Sequence, residues 1–322
     1  MAKDAVVEWL LAGDPAIRWQ VLRDLKNAAE RTLQREQRRI ETEGWGARLL
    51  ELQDADSRWA GGIYNPKWTS TTYTMLLLRR FGLRAGHPQA MRACATLLDS
   101  GFSSDSGINF FPRQRKYSET CISGMILSIL CWFRFDDPRV DQLAAHVIAH
   151  QMADGGWNCC AMPGYGNATH GSFHTTISVL EALREYERFR PQRSAAAREA
   201  QASGREFLLI HRLFRSHRTG EVVKPAMTRF SFPPRWHYDV LRGLDYFQDC
   251  DAPRDERLQD AITLVEQRRT ADGVWPLQNR HPGVTFFELE QTGKASRWNT
   301  VRALRVLRWW KAGQQAGSLV LR

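Results

Sequence analysis

The feature that most constrains this chain is a turn that recurs along most of its length at intervals of about 50 residues. Clusters of Gly, Asp and Ser lie near positions 57, 106, 155, 220 and 273, and each cluster separates two stretches whose apolar residues have helical spacing. The apolar stretches do not show the alternation of apolar and polar residues that predicts a strand. A repeat of this length without strands predicts stacked helical hairpins.

The hairpin between residues 150 and 186 shows the repeating unit most completely. One helical pattern ends at Gln151, the cluster 154–156 breaks it, and a second helical pattern follows His174. In each hairpin one helix is rich in Arg and Glu and the other is apolar and aromatic, so we expect the first to face water and the second a common interior. We therefore predict an all-α fold, a single (α/α)6-type toroid. It comprises one domain, 1–322, with N-terminal helices in 1–45 and hairpin repeats in 46–322.

Composition narrows the classes of partner. The formal net charge is +10, but the basic residues are spread along the chain among many acidic ones, which indicates solvated helix faces rather than a nucleic-acid interface. No apolar run has the length of a membrane span, and acidic residues interrupt the N-terminal apolar segment, unlike a signal peptide. The six cysteines are irregularly spaced, which predicts reduced thiols. We expect a cytoplasmic protein that does not bind nucleic acid.

Three of the turns carry a family resemblance. Segments 151–157 and 267–275 resemble the Gln…Gly-x-Trp repeats of squalene and oxidosqualene cyclases, and 53–59 resembles a degenerate copy. The resemblance implies the α/α-toroid shared by terpene cyclases and the β subunits of protein prenyltransferases, in which the Trp packs on its neighbour and the Gln caps a helix end. The chain lacks the Asp-x-Asp-Asp run with which the cyclases protonate an alkene. Cyclase activity is therefore disfavoured.

A second resemblance concerns a metal. Glu119 and Cys121 enter one inner helix and His174 enters the next, an arrangement similar to the zinc ligands of prenyltransferase β subunits. Carboxylate, thiolate and imidazole all bind zinc, and three protein ligands leave the open position of a catalytic site. The resemblance thus implies zinc at these three residues. The alternatives are Cys159 as a fourth ligand, a lanthionine-synthetase-like site with Cys159 and His170, and ordinary packing roles.

Other polar and aromatic residues at helix starts are candidates for the same site. We predict Asp239 and His237 as catalytic residues, with a helix N-cap as the alternative role of Asp239. The predicted substrate-binding residues are Trp68, Tyr73, Phe173, Arg235, Trp236, Trp298 and Asn299. For the aromatic members of this set, core packing is the alternative.

These features together imply a prenyltransferase-like or squalene-cyclase-like enzyme. Its substrate is expected to be an isoprenoid or another apolar molecule bound in a central cavity. A catalytic zinc would supply a nucleophile by lowering the pKa of a bound thiol or water. The alternative is a non-enzymatic toroid that binds a lipid or a protein partner.

Overall fold

The computed structural model describes residues 3–162 and 166–320 of the 322-residue chain. Helices dominate this part of the chain, which confirms the all-α prediction. The α-helices are α1 Lys3–Leu11, α2 Pro15–Asp24, α3 Glu30–Thr42, α4 Gly44–Glu51, α5 Thr71–Phe81, α6 Pro88–Gly101, α7 Thr120–Trp132, α8 Pro138–Ala149, α9 Phe173–Phe189, α10 Ala195–Ile210, α11 Val240–Asp249, α12 Gln259–Gln267 and α13 Arg297–Val320. One antiparallel pair joins β1 Trp275–Pro276 to β2 Ala295–Ser296. Among the described residues, no helix is both long and apolar enough to cross a membrane.

Each helix packs against helices that are near it in the sequence. Helices α5, α7, α9, α11 and α13 pack each against the next, and the contact between α7 and α9 is the most extensive. Helices α6, α8, α10 and α12 pack beside them, each against a partner from its own hairpin. Helix α13 also packs against α2, so the last helix contacts both the N-terminal region and α11. Closure into a double ring, and the single domain 1–322, remain predictions.

The three Trp-containing turns are held by the same hydrogen bonds. Trp59, Trp157 and Trp275 are completely buried, and each indole N–H donates over 2.7 Å to the carbonyl oxygen ten residues earlier. Each backbone N–H donates to a threonine hydroxyl in the helix that follows, at Thr71, Thr176 and Thr300 respectively. Gln53 and Gln151 also donate to carbonyl groups of the next hairpin. Because every buried polar group of the Trp has a partner, the turn fixes the positions of both flanking helices.

The interior between these helices differs from the apolar interior that the sequence predicts. Glu181 in α9 accepts two hydrogen bonds of 2.9 Å from Arg242 in α11, and it also accepts from Arg80 in α5. Asp245 in α11 accepts from Arg305 in α13. We call these five residues the central charged network. The sequence analysis missed it because an inner helix is apolar only where it packs on its neighbours, and its remaining face carries charges that pair with one another.

Candidate metal centre and the rim around it

The starts of four inner helices lie next to one another. Tyr238, just before α11, donates its backbone N–H over 2.8 Å to Nδ1 of His174, in the first turn of α9. The rings of Trp68, before α5, and His237, before α11, have centroids 6.3 Å apart. We call residues 64–73, 118–121, 172–175 and 234–239 the N-terminal rim. It contains most of the site residues that the sequence predicts.

A group of three metal-ligating side chains lies in this region. The donor atoms of Glu119, Cys121 and Cys159 all lie within 4.8 Å of one another, and all three residues are half-buried. The Cys121 thiol lies 3.2 Å from Oε1 of Glu119. In a tetrahedral site with ligand distances of about 2.1–2.3 Å, donor atoms are roughly 3.5–3.8 Å apart, so small side-chain movements would suffice to hold a zinc ion.

Local structure explains why these three residues meet. Cys121 is the second residue of α7, where a backbone N–H has no partner within the helix. This N–H donates over 3.1 Å to Sγ of Cys159. Cys159 follows the buried Trp157 by two residues, and its Sγ lies 3.5 Å from the hydroxyl of Thr175 in α9. The Trp157 turn and the start of α9 therefore place Cys159 against the start of α7.

The electrostatics of the group favour a bound cation. The pKa of the Cys121 thiol lies well above its ordinary value because of its hydrogen bond with Cys159, its burial, and the neighbouring Cys159 and Glu119. The neighbouring groups thus disfavour the thiolate form of Cys121. A divalent cation would reverse this effect, since thiolates and carboxylates are its binding forms.

His174 lies outside the group, although the sequence analysis predicts it as the third ligand. Burial, with the charge of His237, lowers the pKa of His174 to about 4, so its imidazole is neutral at pH 7. A neutral imidazole whose Nδ1 accepts the Tyr238 N–H carries its own proton on Nε2. Neither nitrogen then offers a free lone pair to a metal. His170 is exposed and also lies outside the group.

The two predicted catalytic residues have different surroundings. Asp239 is buried and caps α11: Oδ1 accepts from the Arg242 N–H, and Oδ2 accepts from the backbone N–H and hydroxyl of Ser231. Its position thus fulfils the N-cap alternative, and its catalytic role stays a prediction. His237 lies between Trp236 and His281, with ring centroids 3.8 Å from each. Burial, followed by the charge of His281, lowers the pKa of His237 to about 3.

Aromatic residues connect the metal group to His237. Tyr73 is buried, and its hydroxyl donates a 2.8 Å hydrogen bond to the hydroxyl oxygen of Tyr64, a residue that the sequence analysis does not single out. Burial raises the pKa of both phenols, and the ionisable groups of Cys121 and Glu119 raise them further. The Trp68 ring contacts Tyr73 edge to face at 4.8 Å. The two tyrosines and Trp68 thus form an aromatic wall beside the metal group.

The remaining predicted substrate-binding residues separate into two sets. Arg235 and Trp236 lie in the rim. Phe173 packs in the core against Phe207 and Tyr238. Trp298 and Asn299 belong to α13, outside the rim segments: Trp298 stacks on Phe232 at 4.1 Å, and the amide of Asn299 donates over 3.0 Å to the carbonyl oxygen of Pro276.

No protein-family model and no curated protein matches this chain. Among solved structures, a protein from Actinoplanes is 14% identical over 92% of this chain and 89% of that chain, with a TM-score of 0.46. The apo form of the type II terpene cyclase MstE from Scytonema is 12% identical over 83% of this chain and 96% of that chain, with a TM-score of 0.33.

Proposed function

We propose that this protein is a zinc-dependent enzyme whose metal is held by Glu119, Cys121 and Cys159. The observation that carries the proposal is the convergence of their three donor atoms within 4.8 Å. Two thiolates and a carboxylate form a ligand set that suits zinc, and three protein ligands leave a fourth position for a reacting group. Zinc in such a site supplies a nucleophile by lowering the pKa of bound thiol or water.

The proposed substrate is an isoprenoid or another apolar molecule that lies along the aromatic wall of the rim. Tyr64 is half-buried and offers ring surface next to the metal group, and the buried rings of Tyr73 and Trp68 pack behind it. Their contacts favour the rim over the centre of the molecule, where the central charged network would meet an apolar chain. The raised pKa of each phenol keeps both hydroxyls protonated, so that they act as hydrogen-bond donors at neutral pH.

Metal content tests the ligand set. We expect protein purified without chelator to carry about one zinc per chain, and Cys121→Ser and Cys159→Ser to lose it. Cys160→Ser is the matched control, because Cys160 is exposed and adjacent to Cys159 in sequence. His174→Ala should retain zinc.

Two results would contradict the proposal. Protein that is isolated without metal and fails to take up added zinc would leave the non-enzymatic binding toroid as the better interpretation. Loss of zinc in His174→Ala together with retention in Cys159→Ser would restore Glu119, Cys121 and His174 as the ligands.

Reaction type has its own test. Squalene incubated with the protein should be recovered unchanged, because the chain lacks the Asp-x-Asp-Asp run that protonates an alkene. A prenyl diphosphate incubated with a thiol should give a thioether in the zinc-loaded protein and none in Cys121→Ser. A cyclised product from squalene would assign the reaction to the cyclase type instead.

A further inference from the structure

A cavity beside the rim contains an arginine without a counter-ion. Arg235 lines this cavity together with Trp68, His281 and Phe286. The residue is 9% exposed, and its Nη1 is buried without a hydrogen-bond partner among the described residues. The guanidinium lies over the Trp68 ring, 5.2 Å from its centroid. A cation–π contact compensates only part of the cost of burying a charge.

Among the described residues, no carboxylate contributes to the pKa shift of Arg235. Burial lowers the pKa of Arg235 to about 10, and the other groups that act on it are Tyr73 and Arg280. The guanidinium therefore remains positive at neutral pH. A buried arginine in a protein is normally paired with an acidic group or an anion.

The two acidic residues that line the cavity are already engaged. Glu288 forms an ion pair with Arg280. The carboxylate of Glu290 lies at the start of α13, where it accepts hydrogen bonds from the hydroxyl of Ser296 and the backbone N–H of Arg297. Burial raises the pKa of Glu290. Neither carboxylate pairs with Arg235, so no residue in the described part of the chain supplies a compensating anion.

A second donor lies at the same cavity. Nε2 of His281 is buried without a hydrogen-bond partner among the described residues, while the ring stacks on His237 at 3.8 Å. Arg235 and His281 line the same cavity. Burial and then the charge of Arg235 lower the pKa of His281 to about 4, so the imidazole is neutral at pH 7. A neutral imidazole can donate one hydrogen bond, and a guanidinium can donate several in a plane.

The loop that carries His281 covers the cavity. Trp68 donates its indole N–H over 2.7 Å to the carbonyl oxygen of Pro282. A Cβ at Gly283 would lie 2.2 Å from the same indole nitrogen, and the φ of Gly283 is +144°, so only glycine allows this approach. The cavity, which is partly open to solvent, has room of about 40 Å³ for water-sized groups. That space is enough for two or three waters or for one small polar group.

We propose that the cavity between Arg235 and His281 binds an oxyanion group of a ligand, a carboxylate in the first instance. A planar carboxylate matches the two parallel donors of a guanidinium, and the imidazole supplies one further donor. The inference goes beyond the proposed zinc enzyme and does not depend on it, because neither Arg235 nor His281 belongs to the metal group.

The test measures anion binding by the full-length protein. Thermal unfolding is followed with increasing acetate, inorganic phosphate or acetamide, at constant ionic strength set with potassium chloride. Acetamide is the neutral isostere of acetate. We expect acetate to raise the Tm in a concentration-dependent way and acetamide to leave it unchanged, because a ligand that binds only the folded state stabilises it by mass action.

Two variants test whether acetate binds at Arg235. Arg235→Gln should lose the acetate-dependent rise, and its Tm without ligand should exceed that of the wild type by a few degrees, because an uncompensated buried charge is removed. Arg229→Gln, at an exposed arginine six residues earlier, should retain the acetate response. A response to phosphate alone that is lost in Arg235→Gln would support the oxyanion site and assign its ligand to the phosphate esters.

The proposal fails if neither anion stabilises the wild type more than acetamide does. It also fails if Arg235→Gln responds as the wild type does. If Arg235→Gln does not fold, the comparison of acetate with acetamide on the wild type still decides the question. Because these readouts require no zinc, failure here is distinguishable from failure of the metal proposal.

Discussion

The central charged network and the N-terminal rim are both rich in ionisable side chains, but they compensate charge in opposite ways. In the network each carboxylate meets guanidinium groups from other helices, as Glu181 does with Arg80 and Arg242. In and beside the rim, groups of like charge lie together. Cys121 is next to Glu119, and Arg235 lacks a carboxylate among the groups that act on its pKa. Charge that is paired within the chain stabilises the fold, whereas unpaired buried charge indicates a partner from outside.

The pKa values express the same difference. Burial alone would raise the pKa of Glu181, but the charges of Arg242 and Arg80 outweigh it and hold this pKa well below the ordinary range. For Cys121 the hydrogen bond with Cys159, burial and the neighbouring groups all act in one direction and raise the pKa. The charges of the network are therefore balanced within the chain, whereas the ionised metal group would need a bound cation to balance it.

The largest expected effect comes from breaking the network. Glu181→Ala leaves Arg242, which is only 2% exposed, without its carboxylate. We expect the free energy of unfolding to fall by about 3–5 kcal/mol, since removing one partner leaves a buried charge unpaired. Denaturant unfolding measures this. The control is Glu206→Ala at the exposed pair with Arg257, where about 1 kcal/mol or less is expected. Equal losses in the two variants would show that the network is no more than a surface cluster.

A smaller loss of stability is expected when tryptophans are replaced, and its size should differ between a Trp-containing turn and the rim. Trp157 donates its indole N–H to the carbonyl oxygen of Val147, while the indole N–H of Trp236 in the rim has no partner among the described residues. Trp157→Phe leaves a buried carbonyl unsatisfied, and we expect it to lower the free energy of unfolding by about 1–3 kcal/mol. Trp236→Phe should cost less. The reverse order, measured by denaturant unfolding, would contradict the assignment of Trp157 as the structural residue.

The pH dependence of the free energy of unfolding also distinguishes the rim from the network. The pKa values of His174, His237 and His281 are about 4, 3 and 4, below the value of about 6.5 expected in the unfolded chain. Between these values the unfolded state binds more protons, so stability should fall as pH drops from about 6.5 to 4, by at most about 1.4 kcal/mol per pH unit for each histidine.

Asp24, which contacts Arg305 of the network, should respond at lower pH. Arg23 and then Arg305 hold the pKa of Asp24 at about 2, although burial opposes this. Its contribution is present above about pH 4 and is lost as pH falls towards 2. Unfolding free energies measured at each pH should therefore show two windows. His237→Phe should reduce the slope of the upper window and leave the lower one unchanged, and an unaltered upper slope would assign that window to other groups.

Local sequence patterns predicted much of the fold. The Asp14-Pro15 pair predicts a helix start, and α2 begins at Pro15 with Asp14 as its N-cap. The apolar spacing after Trp68 predicts a helix over 68–83, but the helix begins at Thr71, because Trp68 has a φ of +75° that a helix does not accept. The same spacing predicts that the last helix ends near Trp310, whereas α13 continues to Val320.

The candidate site shows the limit of this approach. Glu119 and Cys121 are two residues apart at one helix start, and the sequence singles them out. Their third neighbour, Cys159, lies 38 residues further along the chain and meets them only because α7 packs against α9. A better signal was its position two residues after the buried Trp157, which ties it to a fixed turn.

The sequence by itself determined the helices, their turns and the buried tryptophans, because these depend on periodicity and on residues within a turn or two of each other. Only the tertiary structure decided which charges meet. Arg305 pairs with Asp24 across 281 positions, and Arg235 faces no carboxylate although acidic residues line the same cavity. Pairings of this kind depend on how each helix is rotated about its axis, and that rotation is set by packing against several neighbours at once.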